Sequence, residues 1–460
     1  MLFHSTRGKD SNKTFEQVLM QGLAQDGGLY MPDYWPQVNI NDLNELDSFI
    51  DVAKKIVPLF TASSFDQADV EQILDKTWHD FEKKDFIDIF NINDSTSILE
   101  LFHGPTAAFK DFGLQLAAAF FNKTLQTQQK TAIVFGATSG DTGPAAIDAC
   151  KEFNLIKSFI LIPEGNMSEI QRKQMTTVAK NNVFPIMAKG TFDDCQDIVK
   201  KGFNERTFLK DNQYLLAINS INWVRIIGQI CYYFFVSLKI NKLSEPINFS
   251  VPTGNFGNVF ACYAASKMGM PLSKIIVAVN SNDILDRFFR KNDYSKNDVN
   301  ETISPSMDIS VASNFERLLY DFYLNRDAEL CSKLYSKFPS KSIQIDRDIW
   351  CKSSELFLSY SSNDISTYEC MKYYFNKHNY VMDPHTAVAA DAVMKLKDDL
   401  VGNTIILSTA HPAKFPQAIA NAGLSVDAPD KLSAVMNKEE TAEILDTKDN
   451  SIFEYIKENN

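Results

Sequence analysis

One lysine stands between two phenylalanines in the segment HGPTAAFKDFG, residues 103–113. If a helix begins near Thr106, Phe109 and Phe112 lie on its apolar face, and Lys110 lies on a neighbouring face beside small residues. Such a lysine either extends along the surface into solvent or is a buried amine held for chemistry. Burial disfavours the ammonium and lowers the pKa of a lysine, and the neutral amine can form a Schiff base with an aldehyde. Lys110 is therefore a candidate covalent catalyst.

A glycine-rich loop, VPTGNFGNVF, lies where an apolar strand pattern changes to a helical one. Its centre consists of Gly254, Asn255, Phe256, Gly257 and Asn258. Glycines let consecutive backbone N–H groups turn toward one point, and a helix N-terminus adds positive potential, so the loop suits a phosphate. A tight strand-to-helix turn would use the same glycines, and the pattern alone leaves both interpretations open. It is not a Walker A loop, because no Gly-Lys-Ser/Thr follows.

A second loop, FGATSGDTGPAA, occupies residues 135–146 and also offers hydrogen-bond donors. Asp141 would repel an anion, but it can cap the following helix, with Pro144 in the first turn. The hydroxyl and amide groups around it suit a carboxylate, so a helix cap and a substrate site are both open interpretations. The candidate ligands are Thr138, Ser139, Asp141 and Thr142.

The lysine and the phosphate loop together indicate a cofactor. An aldehyde that also carries a phosphate needs one reactive lysine and one phosphate site, and pyridoxal 5′-phosphate is such a molecule. The six histidines and seven cysteines show no spacing typical of a metal site, so no metal is predicted.

Strand patterns alternate with helix patterns along most of the chain. This alternation predicts an α/β fold with open parallel sheets, in which ligands gather at the carboxyl ends of the strands. Both loops described above follow such strands. The clearest strand patterns are TAIVFGA (131–137), SFILIPEG (158–165), NFSVP (248–252), IIVAVN (275–280) and NTIILS (403–408).

Three regions follow from these patterns. Residues 1–95 are predicted to be mostly helical, and residues 96–220 to form an α/β domain that carries Lys110 and the loop at 135–146. Residues 221–460 are predicted to form a larger α/β domain that carries the phosphate loop. Within it, residues 281–370 are more polar and indicate a helical insertion, whose chemistry the sequence does not reveal.

Composition and charge exclude several classes of function. The net charge of −12 disfavours a nucleic-acid surface, which needs a basic stripe. The apolar run at 226–240 is interrupted by Gln229 and is shorter than the ~20 residues of a membrane span, so it predicts a buried helix. Scattered cysteines without a C-x-x-C motif and a polar start without a signal peptide indicate a cytoplasmic protein.

Several ordered motifs resemble those of threonine synthases, a family of pyridoxal-phosphate enzymes with the fold of the tryptophan synthase β subunit. The resemblance implies fold type II, in which two open α/β domains hold the cofactor in the cleft between them. We expect the protein to be a monomer or a homodimer. The matching motifs are STRG, DGGLYMP, HGPTAAFKDFG, GATSGDTG, NSINWVRIIGQ, VPTGNFGN, DPHTAV and LSTAHPAKFP.

The resemblance also implies a role for each candidate residue. Lys110 would hold the cofactor as a Schiff base, residues 254–258 would bind the cofactor phosphate, and Thr409 would hydrogen-bond the pyridine nitrogen. The loop with Thr138, Ser139, Asp141 and Thr142 would bind the substrate carboxylate. Asn222 and Arg225 are candidate ligands of a substrate phosphate, because an arginine matches phosphate oxygens with two hydrogen bonds.

The implied reaction converts O-phospho-L-homoserine and water to L-threonine and phosphate. It needs sites for two phosphates and a carboxylate, and three candidates are present, whereas a serine or threonine dehydratase of the same fold would need only two. Alternatives are such a dehydratase or another lyase of this fold, and a catalytically silent relative that binds phosphorylated metabolites or protein partners.

Overall fold

The computed structural model describes residues 1–165, 167–217 and 219–460. The strands in these residues form a six-stranded sheet, a five-stranded sheet and a two-stranded ribbon. The strands are β1 Phe3–Ser5, β2 Tyr30–Pro32, β3 Asp88–Asn93, β4 Thr96–Glu100, β5 Thr131–Ala137, β6 Ile156–Pro163, β7 Val183–Lys189, β8 Gln213–Leu216, β9 Ile247–Pro252, β10 Leu272–Val279, β11 Phe357–Ser361, β12 Thr404–Ser408 and β13 Glu443–Asp446.

Helices cover the sheets and form most of the N-terminal region. Within the described residues, five 3₁₀ turns and a π-helical turn connect some of these helices. The α-helices are α1 Phe15–Gln21, α2 Phe49–Ile56, α3 Pro58–Thr61, α4 Gln67–Lys76, α5 Lys110–Gln128, α6 Thr142–Cys150, α7 Glu169–Thr176, α8 Phe192–Glu205, α9 Trp223–Asn241, α10 Gly257–Lys267, α11 Ile284–Lys291, α12 Phe315–Leu318, α13 Ala328–Tyr335, α14 Arg347–Cys351, α15 Asp364–His378, α16 Pro384–Leu396, α17 Pro416–Asn421, α18 Asp430–Met436 and α19 Ser451–Asn459.

The six-stranded sheet has the order β11-β10-β9-β12-β4-β3. Its pairings are parallel, except that β3 runs antiparallel to β4 at the edge. All six residues of β9 are buried, as expected for a parallel strand covered by helices on both faces. The strands predicted near 248–252, 275–280 and 403–408 are confirmed.

The five-stranded sheet is parallel throughout and has the order β13-β7-β6-β5-β8. β5 has the predicted bounds, 131–137, and its interior residues Ala132–Gly136 are buried. The carboxyl end of β5 leads into the polar loop that precedes α6. The predicted α/β fold with parallel sheets is therefore confirmed.

The sheets do not follow the predicted division of the chain. β4, at 96–100, pairs with β12 in the six-stranded sheet, and β13, near the C-terminus, pairs with β7 in the five-stranded sheet. Local sequence patterns carry no information on pairing between strands this far apart. Besides their helices, residues 1–95 contain the β1–β2 ribbon and β3, and residues 281–370 contain the parallel edge strand β11.

Helix α9 lies at the centre of the molecule and packs against α2, α5 and α10. By length and composition alone it could cross a membrane, but 89% of its most apolar window is buried inside the protein. The prediction of a buried helix at 226–240 is therefore confirmed. A Cβ atom at Gly228 would lie 3.0 Å from the carbonyl oxygen of Phe112, so glycine permits the close contact between α9 and α5.

Candidate active site

A cavity of about 500 Å³ lies among loops that follow strands of both large sheets. The loops after β5 and β9, the start of α5 and the residue after β12 all line it, as expected for a ligand site at the carboxyl ends of parallel strands. The cavity collects nearly all of the residues that the sequence nominated: Lys110, Thr138, Ser139, Asp141, Thr142, Arg225, Gly254, Asn255, Phe256, Gly257, Asn258 and Thr409.

Lys110 is the first residue of α5, so the helix begins four residues later than predicted from Thr106. The helix starts late because Thr106 donates from its backbone N (2.9 Å) and from its Oγ1 (2.6 Å) to the carboxylate of Asp111. These bonds close a compact turn, in which Ala107 adopts a left-handed φ of 57°. A Cβ atom at Gly104 would lie 2.4 Å from Oδ2 of Asp111, so this turn requires glycine there.

The segment before Lys110 is also bonded to the segment that follows β12. The backbone N of Phe109 donates to the carbonyl oxygen of Thr409 at 2.9 Å, and the backbone N of His411 donates to that of Ala107 at 3.0 Å. Backbone bonds thus fix the spacing between Lys110 and Thr409.

The amine of Lys110 has an unusually low proton affinity. Burial lowers its pKa to about 8; Asp141 opposes the change, and the cations Arg225 and Lys414 add to it. The position of Lys110 in the first turn of a helix also disfavours an ammonium, because the N-terminus carries positive potential. Of the two sequence interpretations, the structure favours the buried amine.

Asp141 does not cap α6, because its side chain accepts no hydrogen bond from that helix. Its Oδ1 instead accepts from Nζ of Lys414 at 2.7 Å and from Nε2 of Gln171 at 2.8 Å. Burial alone would raise the pKa of Asp141, but Lys414 and Lys110 outweigh it and hold the pKa well below its usual range. A carboxylate thus lies 4.0 Å from Nζ of Lys110. The sequence patterns did not single out Lys414, although the motif LSTAHPAKFP contains it.

The hydroxyl of Thr138 is used inside its own loop. Its Oγ1 accepts from the backbone N of Gly143 at 3.0 Å and is 2.9 Å from the carbonyl oxygen of Gly140. Thr138 therefore shapes the loop, and the hydroxyls of Ser139 and Thr142 remain the side-chain donors for a ligand.

The predicted phosphate loop joins β9 to α10. Phe256 has a left-handed φ of 65°, and α10 begins at Gly257. The first backbone N–H groups of α10 have no partner within the helix and point out of the end that borders the cavity. A Cβ atom at Gly254 would lie 2.8 Å from the carbonyl oxygen of Ser306, which leaves no room for a larger residue. The loop thus has the geometry of an anion site at a helix N-terminus.

Asn258 presents an unsatisfied donor at this loop. The hydroxyls of Tyr232 and Tyr233 both donate to its Oδ1, which fixes the orientation of the amide. Its Nδ2 is buried and has no hydrogen-bond partner among the described residues. A buried unpaired donor is costly, so it is a position where a ligand oxygen would be stabilised.

The region at 281–370, whose role the sequence did not reveal, contributes a wall of the cavity. Ser306 belongs to this region. Its Oγ is buried and has no hydrogen-bond partner in the described part of the chain. This Oγ would lie 3.2 Å from a Cβ atom at Gly140, so Ser306 faces the loop after β5 closely. The backbone N of Ser306 donates to Nε2 of His385 at 3.2 Å, and Nδ1 of His385 lies 2.8 Å from Oδ1 of Asp383. Because Nε2 is the acceptor, the proton is on Nδ1 and is donated to Asp383. The motif DPHTAV was the sequence signal for His385; Ser306 had none.

Of the two predicted ligands for a substrate phosphate, only Arg225 lines the cavity. Burial lowers the pKa of its guanidinium to about 10, so the group remains a cation at neutral pH. Asn222 instead caps α9: its Oδ1 accepts from Val224 N at 3.3 Å, and its Nδ2 donates to the carbonyl oxygen of Leu19 at 2.8 Å. The structure therefore does not bring Asn222 to the cavity, contrary to the prediction.

These residues fit pyridoxal phosphate. The cavity combines an amine of low proton affinity, a helix N-terminus beside an unsatisfied buried amide, and Thr409, whose backbone is held at a fixed spacing from that of Lys110. One lysine and one phosphate site are what this cofactor needs from a protein.

Comparison with known proteins agrees with the site. Residues 2–78 match the family "Threonine synthase N terminus", residues 98–332 match "Pyridoxal-phosphate dependent enzyme", and residues 386–456 match "Threonine synthase, C-terminal". The threonine synthase of Pseudomonas aeruginosa is 40% identical to this chain, over 97% of the chain and 96% of that protein.

Solved structures of similar proteins extend the match to the whole fold. The pyridoxal-phosphate-bound threonine synthase of Brucella melitensis superposes with a TM-score of 0.95 at 36% identity, covering 100% of this chain and 99% of the other. The threonine synthase of yeast superposes with a TM-score of 0.92 at 36% identity, covering 99% and 98%. The chain therefore belongs to the threonine synthase family of pyridoxal-phosphate-dependent enzymes.

Proposed function

We propose that this chain is a threonine synthase, which converts O-phospho-L-homoserine and water to L-threonine and phosphate with pyridoxal phosphate as cofactor. One observation carries the proposal. The amine of Lys110, with a pKa of about 8, shares a cavity of about 500 Å³ with the glycine-rich loop at 254–258 and with the buried guanidinium of Arg225.

When bound, the cofactor supplies an electron sink for charge that develops at the substrate Cα. Lys110 then moves the protons. Because the pKa of Lys110 lies near neutral pH, its amine can take protons from Cα and Cβ as phosphate leaves, and can return protons at Cγ and finally at Cα. The second reactant, water, adds at Cβ.

Three anion sites surround the amine. We assign residues 254–258 to the cofactor phosphate, the loop with Ser139 and Thr142 to the substrate carboxylate, and Arg225 to the substrate phosphate. Asp141 is not a ligand in this assignment, because its carboxylate is already bonded to Lys414 and would repel an anion. The presence of a third site supports a phosphorylated substrate over a dehydratase, which needs only two.

We assign Thr409 to the pyridine nitrogen. A neutral hydroxyl does not stabilise a proton on that nitrogen as a carboxylate would, so the electron sink is moderate. This restrains side reactions such as transamination.

We propose that the protein acts as a monomer or a homodimer. All seven cysteines are free thiols, which supports a reducing compartment such as the cytoplasm. The net charge of −12 supports a small-molecule substrate rather than a nucleic acid.

The proposal is tested by the visible absorbance of the purified protein, before and after borohydride reduction, together with phosphate release from O-phospho-L-homoserine. We expect absorbance that reduction abolishes and that Lys110→Ala lacks, and stoichiometric threonine and phosphate. Lys372→Ala, at an exposed position on α15, is the matched control and should behave as wild type. Formation of an oxo acid from serine or threonine instead would indicate a dehydratase. Absorbance without any turnover would indicate a silent relative.

A further inference from the structure

A second lysine, Lys414, is fully buried but is not among the residues that line the cavity. It follows β12 in the six-stranded sheet, whereas its partner Asp141 follows β5 in the five-stranded sheet. Its Nζ lies 2.7 Å from Oδ1 of Asp141 and donates to the carbonyl oxygen of Thr106, also at 2.7 Å. A buried ammonium is costly unless such partners satisfy it, so a fully buried lysine here calls for an explanation.

Two side chains of helix α7 also donate hydrogen bonds to the acceptors of Lys414, the carboxylate of Asp141 and the carbonyl oxygen of Thr106. Gln171 donates to Oδ1 of Asp141 at 2.8 Å, and Gln174, one turn further along, donates to the carbonyl oxygen of Thr106 at 3.0 Å. One carboxylate oxygen of Asp141 is therefore occupied by two donors. The other, Oδ2, is the atom that lies 4.0 Å from Nζ of Lys110.

The two lysines compete for one carboxylate, and Lys414 has the shorter contact. An ion pair between Asp141 and Lys110 would stabilise the ammonium form of Lys110, which can neither attack an aldehyde nor accept a proton. The charged groups that act on Lys110 are Asp141 and Asp111, which favour the ammonium, and Arg225 and Lys414, which disfavour it. Lys414 thus acts twice, by neutralising Asp141 and by its own charge.

We propose that Lys414 is a positioning residue: by pairing with Asp141 at 2.7 Å it keeps that carboxylate from closing into a short ion pair with Lys110, and so keeps the Lys110 amine available as nucleophile and base. The inference rests on the proposed role of Lys110, and it goes beyond that role by naming the residue that sets its charge.

The test measures the proton affinity of Lys110 directly, in the full chain freed of cofactor. The pH dependence of its acetylation, read by mass spectrometry of the peptide that contains it, gives the midpoint at which the amine becomes neutral. We expect Lys414→Met to raise this midpoint by ~1–2 pH units, because Asp141 then pairs with Lys110 alone. Asp141→Asn should lower it by ~1 unit, because the repulsion from Lys414 and Arg225 is no longer opposed.

Catalysis gives a second readout that a purely structural role would not produce. At pH 7, kcat of Lys414→Met should fall at least ~10-fold with KM changed less than ~3-fold, and the loss should shrink as the pH rises toward 9. Lys431→Met is the matched control. Lys431 donates to the carbonyl oxygen of Gly104 at 2.7 Å, in the same segment, but pairs with Glu82 rather than Asp141. It should leave the Lys110 midpoint unchanged.

An unchanged or lowered midpoint in Lys414→Met would overturn the proposal. If that variant does not fold, Asp141→Asn decides: a midpoint below wild type supports the proposal, and an unchanged one contradicts it. The double variant with both substitutions removes the buried charge pair and should give a midpoint below that of Lys414→Met. The acetylation midpoints do not depend on the substrate. If the proposed reaction is wrong, wild type releases no phosphate from O-phospho-L-homoserine, and this outcome can be told apart from a failure of the role proposed for Lys414.

Discussion

The backbone amide of Phe109 donates a 2.9 Å hydrogen bond to the carbonyl oxygen of Thr409. This bond joins the residue before Lys110 to the residue proposed for the pyridine nitrogen, and it lies beside an antiparallel bridge between Ala108 and Ala410. Main-chain contacts thus hold Lys110 at a fixed spacing from Thr409. Side chains at position 409 can therefore change the chemistry without moving the lysine.

Substitutions at Thr409 test this separation. Thr409→Ser keeps the hydroxyl, and we expect kcat within ~3-fold of wild type because the main-chain bond is unaffected. Thr409→Asp places a carboxylate where a proton on the ring nitrogen would be stabilised, so we expect at least ~10-fold lower threonine formation and a larger share of transamination product. The ratio of oxo acid to threonine is the quantity to measure. An unchanged ratio in Thr409→Asp would remove Thr409 from its proposed position.

The low proton affinity of Lys110 also predicts an effect on stability. The pKa falls from the usual 10.5 to about 8, so below pH 8 the folded chain contains a buried ammonium that the unfolded chain keeps in water. A tenfold change in proton affinity corresponds to about 1.4 kcal/mol, so we expect Lys110→Met to stabilise the cofactor-free chain by about 3 kcal/mol at pH 7. This gain in stability should shrink as the pH rises from 8 to 10.5. In that range Lys110 is already mostly neutral in the folded wild type, and the unfolded chain gradually loses its charge as well.

Urea denaturation of the cofactor-free chain at pH 7 and at pH 10 measures this difference. Lys372→Met, at an exposed position, is the control and should show no comparable pH dependence. A Lys110→Met variant that is less stable than wild type at both pH values would mean that the amine is held by favourable contacts rather than at a desolvation cost.

Arg225 is expected to govern the affinity for the phosphorylated substrate. A hydrogen bond to a charged group contributes about 1.5–3 kcal/mol, so Arg225→Met should raise KM for O-phospho-L-homoserine by ~10–100-fold. Arg225→Lys keeps the charge but not the two parallel hydrogen bonds of a guanidinium, so its KM should lie between that of wild type and that of Arg225→Met. The visible absorbance of the bound cofactor should be unchanged in both variants. Turnover that is unaffected by Arg225→Met would instead favour a lyase without a substrate phosphate.

The sequence predicted the residues of the site better than it predicted the shape around them. Lys110, Thr409 and residues 254–258 stand in motifs whose residue types already indicate chemistry, and all of them line one cavity. The late start of α5 was not predictable, because it depends on the bonds from Thr106 to Asp111, which only the folded turn brings together.

Long-range relationships account for the other differences. The pairings of β4 with β12 and of β13 with β7 join residues hundreds of positions apart, and no local pattern records them. Lys414 and Ser306 were missed for the same reason, because each gains its role from a partner on a different sheet or segment. Asn222 is the opposite case: its motif is part of the family resemblance, and the folded chain uses its amide as a helix cap.

Asn222 therefore gives a prediction that separates stability from binding. Its substitution removes the N-cap of α9 and leaves the carbonyl oxygen of Leu19 without its donor, so we expect Asn222→Ala to destabilise the chain by about 1–3 kcal/mol. Asn222→Ser keeps a neutral capping oxygen but not the donor, and it should be less destabilising than Asn222→Ala. KM for O-phospho-L-homoserine, measured well below the unfolding transition, should stay within ~2-fold of wild type. A rise in KM comparable to that of Arg225→Met, with stability unchanged, would return Asn222 to the substrate site and show that α9 begins without its help.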